Sequence, residues 1–453
     1  MSVPSAMRPT APGTAPAGVA PDPLLAALDR ASTLERVGRV AEAYGTLIRA
    51  TGLKAAIGEL CELRNPDRPE FHLTAEVVGV SRNHTLLTPL GALDGVSAST
   101  EVVASGRQAC VRAGDALLGR ILDAHGMPLD DLGPLQTSAE VPLYAAAPNP
   151  LTRTLVERPF ATGVRAIDSV LTAGEGQRMG IFAVAGGGKS TLLGMLARGA
   201  SADVNVIVLV GERGREVNEF IHHSLGPEGL ARTVLIVATS DRPALERSRA
   251  AWVGPAIAEY FRDRGRRVLL LLDSVTRFAR ALRDVGLAVG EPPARRGFPP
   301  SVFSELPRLF ERAGNNDRGT ITAFYTVLME DEDGGDPVAE EVRSILDGHI
   351  VLSRKLAAAQ HYPAIDVLAS ASRVMSRVAG ASHQRAAAGL RQVLAKYAEI
   401  ELLIQLGEYK PGSDREADAA IEKIAAVRQL LRQAAADAVP FAQATAQLED
   451  LFR

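Results

Sequence analysis

Cysteine is nearly absent from this chain. Its 453 residues include two, Cys61 and Cys110, too few for a disulfide framework, and nothing in the sequence has metal-ligand spacing. A reducing compartment fits. No run approaches the roughly 18 apolar residues of a membrane span, and the start lacks a charged-then-apolar signal pattern, so residence in the cytosol is expected. Charge of one sign is not in excess either. Fifty basic residues against 53 acidic ones give a formal net charge of −3, which argues against a nucleic-acid binder that works through bulk charge. What remains is 46% hydrophobic and 23% charged, the composition of a globular protein. The length exceeds one ordinary core and points to about three domains.

Read in order, residues 1–23 carry six prolines among Ala, Thr, Gly and Ser. Such a composition buries too little apolar surface to offset ordering entropy, so a disordered tail is expected. Leu24, Leu25 and Leu28 begin a short amphipathic helix, suited to packing on the next domain or to docking. From Thr51 to Ala109, short β-rich runs such as Leu73–Val80 and Glu101–Ala104 are punctuated by turn residues, as in a small closed barrel. The division expected is 1–28 tail and helix start, 29–109 barrel, 110–375 core and 376–453 helical. In the core, continuous apolar strands (Val204–Val210, Thr233–Ala238, Arg267–Leu272, Gly319–Val327) alternate with helical segments. That pattern predicts an α/β fold with a parallel sheet covered on both faces, its ligand beyond the carboxyl ends of the strands. Beyond Met375 the period is helical. Leu390, Val393, Leu394 and Tyr397 share one face and Ile421, Ile424, Val427 and Leu431 another, while Ser413-Asp414-Arg415-Glu416 has the capping-box form.

The chemistry centres on Gly180–Leu193, which reads as a buried strand, a glycine loop and a helix opening on Lys189-Ser190. Gly186, Gly187 and Gly188 let successive backbone N–H groups turn toward a phosphate, the helix start adds favourable dipole, Lys189 reaches terminal phosphates, and Ser190, followed by Thr191, can hold Mg²⁺. Ala183 stands where the strict P-loop pattern has its first glycine. The strand Val268–Leu272 ends in Asp273, the arrangement of a carboxylate that holds Mg²⁺, directly or through water, opposite Ser190. The strand Val204–Val210 leads to Gly211-Glu212-Arg213-Gly214-Arg215-Glu216. A glutamate at the end of a strand next to the P-loop strand could orient or deprotonate water. Glu212 is the first candidate and Glu216 the reserve. Arg213 and Arg215 could bind phosphate charge or pair with the glutamates.

Several runs are long enough to be specific: Thr162–Asp168, Gly211–Val217, Asp273–Ala279, Gly290–Phe303, Ile345–Arg354 and His361–Arg373. They resemble the type III secretion ATPase family, a relative of the catalytic subunit of rotary ATP synthases, from about residue 35 to the C-terminus. That family's P-loop begins with alanine. The glycine loop looks more like the virulence-associated injectisome branch than the flagellar export paralogue. The resemblance implies a RecA-like core between a barrel and a helical domain, and a homohexamer with ATP and Mg²⁺ at subunit interfaces. It also implies that Lys189 and Ser190 serve phosphate and Mg²⁺, that Glu212 is the catalytic carboxylate, that Arg373 is an arginine finger given to a neighbour, and that Tyr362 lies against adenine. The loop Glu291–Pro300 would lie near a central pore. The implied partners are central stalk and stator proteins, export substrates and their chaperones, at the cytoplasmic face of the inner membrane, with peripheral membrane association allowed. An RNA-translocating hexamer shares the core, but would need a basic, aromatic-bearing barrel. Here 51–109 holds one aromatic, Phe71, so no nucleic acid is expected. A non-catalytic ring subunit is disfavoured by the presence of Glu212.

Overall fold

The computed structural model describes residues 36–184, 186–329 and 335–453. The proline-rich tail and the helix expected from Leu24 lie outside the described residues. The first unit is a closed barrel of β1 (Val37–Tyr44), β2 (Leu47–Thr51), β3 (Glu59–Asn65), β4 (Arg68–Val80), β5 (Thr85–Pro89) and β6 (Glu101–Gln108), in the order β1-β2-β5-β4-β3-β6. Alternation builds it: Val40, Ile48, Leu63, Val77, Leu87 and Val102 point inward and their neighbours outward. Two of the strands precede Thr51, where the strand-rich reading began. Val37–Tyr44 carries Ala, Glu and Arg, which favour helix over strand, and its inward residues declare themselves only through pairing.

β7 (Cys110–Ala113) pairs with β9 (Ala139–Pro142), and β8 (Ile121–Leu122) joins the edge of the central sheet. That sheet adds β10 (Arg178–Ala183), β11 (Val204–Val210), β12 (Thr233–Ala238), β13 (Arg267–Asp273), β14 (Gly314–Asn315), β15 (Thr320–Leu328), β16 (Gly348–Leu352) and β17 (Ile365–Ser372). Its order is β17-β16-β10-β15-β13-β11-β12-β8, with β14 on β15. From β16 to β8 the strands are parallel, but β17 and β14 run antiparallel. The expectation of a parallel sheet thus holds for the interior and is corrected at its edge. The link from β16 to β17 contains just one short helix, Arg354–Ala358, and folds the chain back instead of carrying it across a face.

Both faces are covered, which is why the strands read as unbroken apolar runs. Phe182, Val206, Val208, Leu270 and Leu272 face the helices Ala244–Arg262, Val275–Ala288 and Pro300–Phe310. Ile181, Ala183, Ile207, Leu209 and Leu271 face the P-loop helix Lys189–Gly199 and the C-terminal helices Ala381–Gln405, Arg415–Leu431 and Phe441–Leu451. The middle of these three starts where expected but on a different cap. The Asp414 carboxylate accepts from the N–H groups of Glu416 and Ala417, whereas the Ser413 hydroxyl donates to the Lys410 carbonyl. A carboxylate also gains from the helix dipole there, which a hydroxyl does not.

A buried ion pair ties barrel to core. Arg249, on the helix Ala244–Arg262, donates to Glu76 Oε2 on β4 at 3.2 Å, and the Tyr144 hydroxyl donates to the same oxygen at 3.1 Å. Burial raises the Glu76 carboxyl above its ordinary range, with Arg249 and Tyr144 opposing. Replacing Arg249 by Met would leave a buried acid without its cation, a loss of about 3 kcal/mol. Because a raised pKa means stability lost as pH rises through it, the deficit of Arg249→Met is expected to be large at pH 8 and small at pH 5. Denaturant titrations at the two values check this, and a deficit independent of pH would contradict it.

Candidate active site

β10 delivers the chain to the carboxyl edge of the sheet, where Gly186 and Gly188 take positive φ of 83° and 80°. Those two positions require glycine. Ala183 does not, because it is the last residue of β10, extended and fully buried, so the alanine in place of the strict pattern's first glycine costs the loop nothing. Gly188 is the N-cap of the helix Lys189–Gly199 and no side chain caps it. The first-turn N–H groups are therefore free for an anion, and Ser190 and Thr191 are exposed on that turn.

Three charged groups converge above this edge. Lys189 Nζ lies 2.5 Å from Asp273 Oδ1 and 3.1 Å from Glu212 Oε1. Both acids are nearly inaccessible, at 3% and 6% exposure. Burial alone would lower the Lys189 pKa, but the charges of Asp273 and Glu212 outweigh it and hold the ammonium above its ordinary value. Glu212 does not come from a strand next to the P-loop strand, as expected: β15 and β13 lie between β10 and β11. It reaches Lys189 because Gly211, at φ 69°, turns the chain back over the strand ends, and because the lysine side chain itself extends across the gap.

Two further residues shape the site, and sequence reasoning assigned them no role. Arg277, in the first turn of the helix Val275–Ala288, donates to the Gly211 carbonyl and to Glu212 Oε2, the latter at 3.3 Å. Thr326, near the end of β15, donates to Asp273 Oδ1 at 2.8 Å. The signal for Arg277 was its place four residues after Asp273 in the run quoted above. Thr326 left none, since it sits in an ordinary apolar strand.

The remaining candidates separate. The Tyr362 ring lies 3.4 Å from where a Cβ on Gly188 would sit, so it borders the glycine loop. Glu216 points elsewhere, paired with Arg213 at 3.5 Å, and Arg215 pairs with Glu219 at 2.8 Å. Arg373 follows β17, whose register sets Ser372 against Gly348, and its backbone N–H donates to the Asp347 carbonyl at 3.0 Å. Asp347 in turn binds Arg178 at the start of β10. Arg373 is thus at the opposite end of the sheet from its own P-loop, roughly 16 Å away along β10 alone at a rise of about 3.3 Å per residue. It is exposed, its guanidinium touches the Arg343 carbonyl at 3.4 Å, and among the described residues it meets no carboxylate.

Such a loop, helix and acid set on a doubly covered sheet defines a P-loop ATPase core, and known proteins agree. The nucleotide-binding domain model of the ATP synthase alpha/beta family matches residues 163–372, that family's beta-barrel domain model matches 40–106, and the T3SS EscN ATPase C-terminal domain model matches 379–450. A type 3 secretion system ATPase of Xanthomonas euvesicatoria is 60% identical over 398 residues, covering 88% of this chain and 90% of its own length. A flagellum-specific ATP synthase of Treponema pallidum is 49% identical over 427 residues, covering 94% and 95%. The solved structure of the assembled ATPase EscN from the enteropathogenic E. coli type III secretion system is similar at a TM-score of 0.87 and 48% identity, covering 92% of this chain and 100% of that one. A second, of EscN in complex with its central stalk EscO, gives a TM-score of 0.85 at 48% identity and the same coverage. The chain belongs to the type 3 secretion system ATPase family, whose members are protein export ATPases.

Arg277 gives the first test at this site. Substitution by Met frees Glu212 from one cation and from its anchor to Gly211, so turnover is expected to fall about 100-fold, the scale of a small misplacement at reacting atoms, with ATP affinity nearly unchanged. A kcat for Arg277→Met equal to wild type would remove it from the site.

Proposed function

We propose that this chain is the ATP-hydrolysing motor of a type III protein secretion apparatus of the injectisome branch, with its work divided among a barrel (29–109), a core (110–375) and a helical domain (376–453). One observation carries the catalytic part: Lys189 sits between Glu212 and Asp273 at the mouth of the glycine loop. Gly186–Gly188 and the open helix start bind the phosphates of ATP, and Lys189 moves from its acids to the terminal phosphates when they arrive. The donors at the site fit Mg²⁺, with the exposed Ser190 hydroxyl and the Asp273 carboxylate to hold it. When bound, the ion neutralises charge on the phosphate oxygens. Glu212, held by Arg277, orients the attacking water and takes its proton. Tyr362 lies along the base.

Arg373 completes the site of a neighbouring chain. Its position at the far end of its own sheet, exposed and without an acid partner, supports that reading, as does the assembled state of EscN. We therefore place the chain in a homohexamer, with the Glu291–Pro300 loop toward the pore and a central stalk as partner, as the complex with EscO suggests for its relative. The assembly would work with stator proteins at the cytoplasmic face of the inner membrane, releasing chaperones from export substrates and unfolding them. Among the described residues no helix is long and apolar enough to cross a membrane. Higher identity to a secretion ATPase than to a flagellar one supports the injectisome branch.

Glu212→Gln is expected to bind ATP at near wild-type affinity and to lose hydrolysis, read by nucleotide titration and phosphate release. Normal hydrolysis in that variant, with loss in Glu216→Gln, would move the role to Glu216. Arg373→Ala is expected to fold, bind ATP and lose on the order of 10³-fold in rate, as for a removed arginine finger. A wild-type rate would end the proposal for this residue.

A further inference from the structure

On the proposed base side of the nucleotide site, Gln433, two positions past the helix Arg415–Leu431, ties the core to the C-terminal unit through three hydrogen bonds. Gln433 is 6% exposed, and both its side chain and its backbone are engaged. Its amide oxygen accepts from the backbone N–H of Arg165 at 2.7 Å. Its amide nitrogen donates to the Gly163 carbonyl at 2.8 Å and to the Asp437 carbonyl at 2.9 Å. Its own backbone N–H donates to the Tyr362 carbonyl at 2.9 Å. One residue thus joins, through its side chain, the turn before the first core helix and the link between the last two helices, and, through its backbone, the tyrosine that borders the glycine loop.

The turn at the other end is built to stay still. The Asp168 carboxylate accepts from Thr162 N–H, Thr162 Oγ1 and Gly163 N–H, at 2.9, 2.7 and 3.1 Å. Gly163 has φ 75°, and a Cβ there would come within 2.9 Å of the Gly199 backbone. Val439 N–H donates to the same Gly163 carbonyl at 3.1 Å. Gln433 is therefore bonded to a closely packed turn on the P-loop side of the sheet. Tyr362 is 36% exposed, its ring borders Gly188, and its backbone carbonyl is held by the Gln433 N–H.

We propose that Gln433 is a positioning residue for the nucleotide base, acting through Tyr362: its amide sets how firmly the site grips a base without taking part in phosphate chemistry. This rests on the reading of Tyr362 as the residue along the base. Removing the amide leaves the Arg165 N–H without its acceptor and the Gly163 carbonyl with Val439 alone and loosens the segment that holds Tyr362, while Lys189, Glu212 and Asp273 keep every contact they have.

The test measures Kd for ATP and for tripolyphosphate, which has phosphates and no base, together with kcat, in wild type, Gln433→Ala, Gln433→Glu and Tyr362→Ala full-length protein. Gln433→Ala is expected to weaken ATP about ten-fold, the size of one buried hydrogen bond to a polar group, to leave tripolyphosphate unchanged and to keep kcat within about two-fold. Gln433→Glu can still accept from Arg165 but sets a carboxylate oxygen against the Gly163 and Asp437 carbonyls where the amide donated, so it is a second variant should the alanine form not fold, and the same split with a loss at least as large is expected. Equal weakening of ATP and tripolyphosphate, or no weakening of either, in the folded Gln433 variants would overturn the proposal while a base-specific loss in Tyr362→Ala keeps the reading of Tyr362. An unchanged ATP affinity in Tyr362→Ala would overturn both together.

Discussion

The site turns on one constraint, the pairing of two buried carboxylates with a single ammonium. Asp273 and Glu212 arrive from different strands at the same edge and would repel each other in a low-dielectric setting. Lys189 between them, with Arg277 behind Glu212, removes that repulsion. Within the chain these four charges sum to zero. A nucleotide triphosphate adds negative charge that the local cations, already matched by local acids, leave uncompensated. Cations from outside the cluster have to meet it, the proposed Mg²⁺ among them, and the exposed Arg373, unpaired with any acid among the described residues, stands at the far end of the same sheet. On the proposed reading, that placement is what lets Arg373 serve the site of a neighbouring chain.

Packing supports this by making the sheet rigid and the edge adjustable. The interior strands are buried on both faces, so the carboxyl ends that carry Ala183, Asp273 and Gly211 are fixed relative to one another. The groups proposed to meet substrate are short extensions beyond those ends: a glycine loop, one turn at Gly211 and a tyrosine whose carbonyl accepts from the Gln433 N–H. Charge also fastens the periphery. Glu76 with Arg249 holds the barrel, and Arg178 with Asp347 and Glu311 closes the opposite end of the sheet beneath Arg373.

Much of this was legible in the residues. The unbroken apolar strands announced a covered sheet, and Gly186–Ser190 with Asp273 announced the glycine loop, helix start and strand-end acid that the structure brings together, because glycines, a lysine and a strand-end acid act through chemistry that local sequence carries. Strand order was not legible, which is why Glu212 was expected beside the P-loop strand and lies two strands further off. The barrel's first strands were hidden by helix-favouring Ala, Glu and Arg in Val37–Tyr44. Asp414 displaced Ser413 as a cap because both fit the same short pattern and only geometry chooses. Arg277, Thr326 and Gln433 gave little or no local signal, since each matters through a partner distant in sequence: Gly211, Asp273 and Tyr362.

The central claim is that one chain holds an incomplete site which a neighbour completes. The most direct measurement is the ATPase rate per chain as total protein concentration is raised, with the assembled fraction followed by sedimentation in the same samples. The account predicts a rate per chain that is low where the protein is monomeric and climbs in step with assembly. A monomer that hydrolyses ATP as fast per chain as the assembled protein would contradict it.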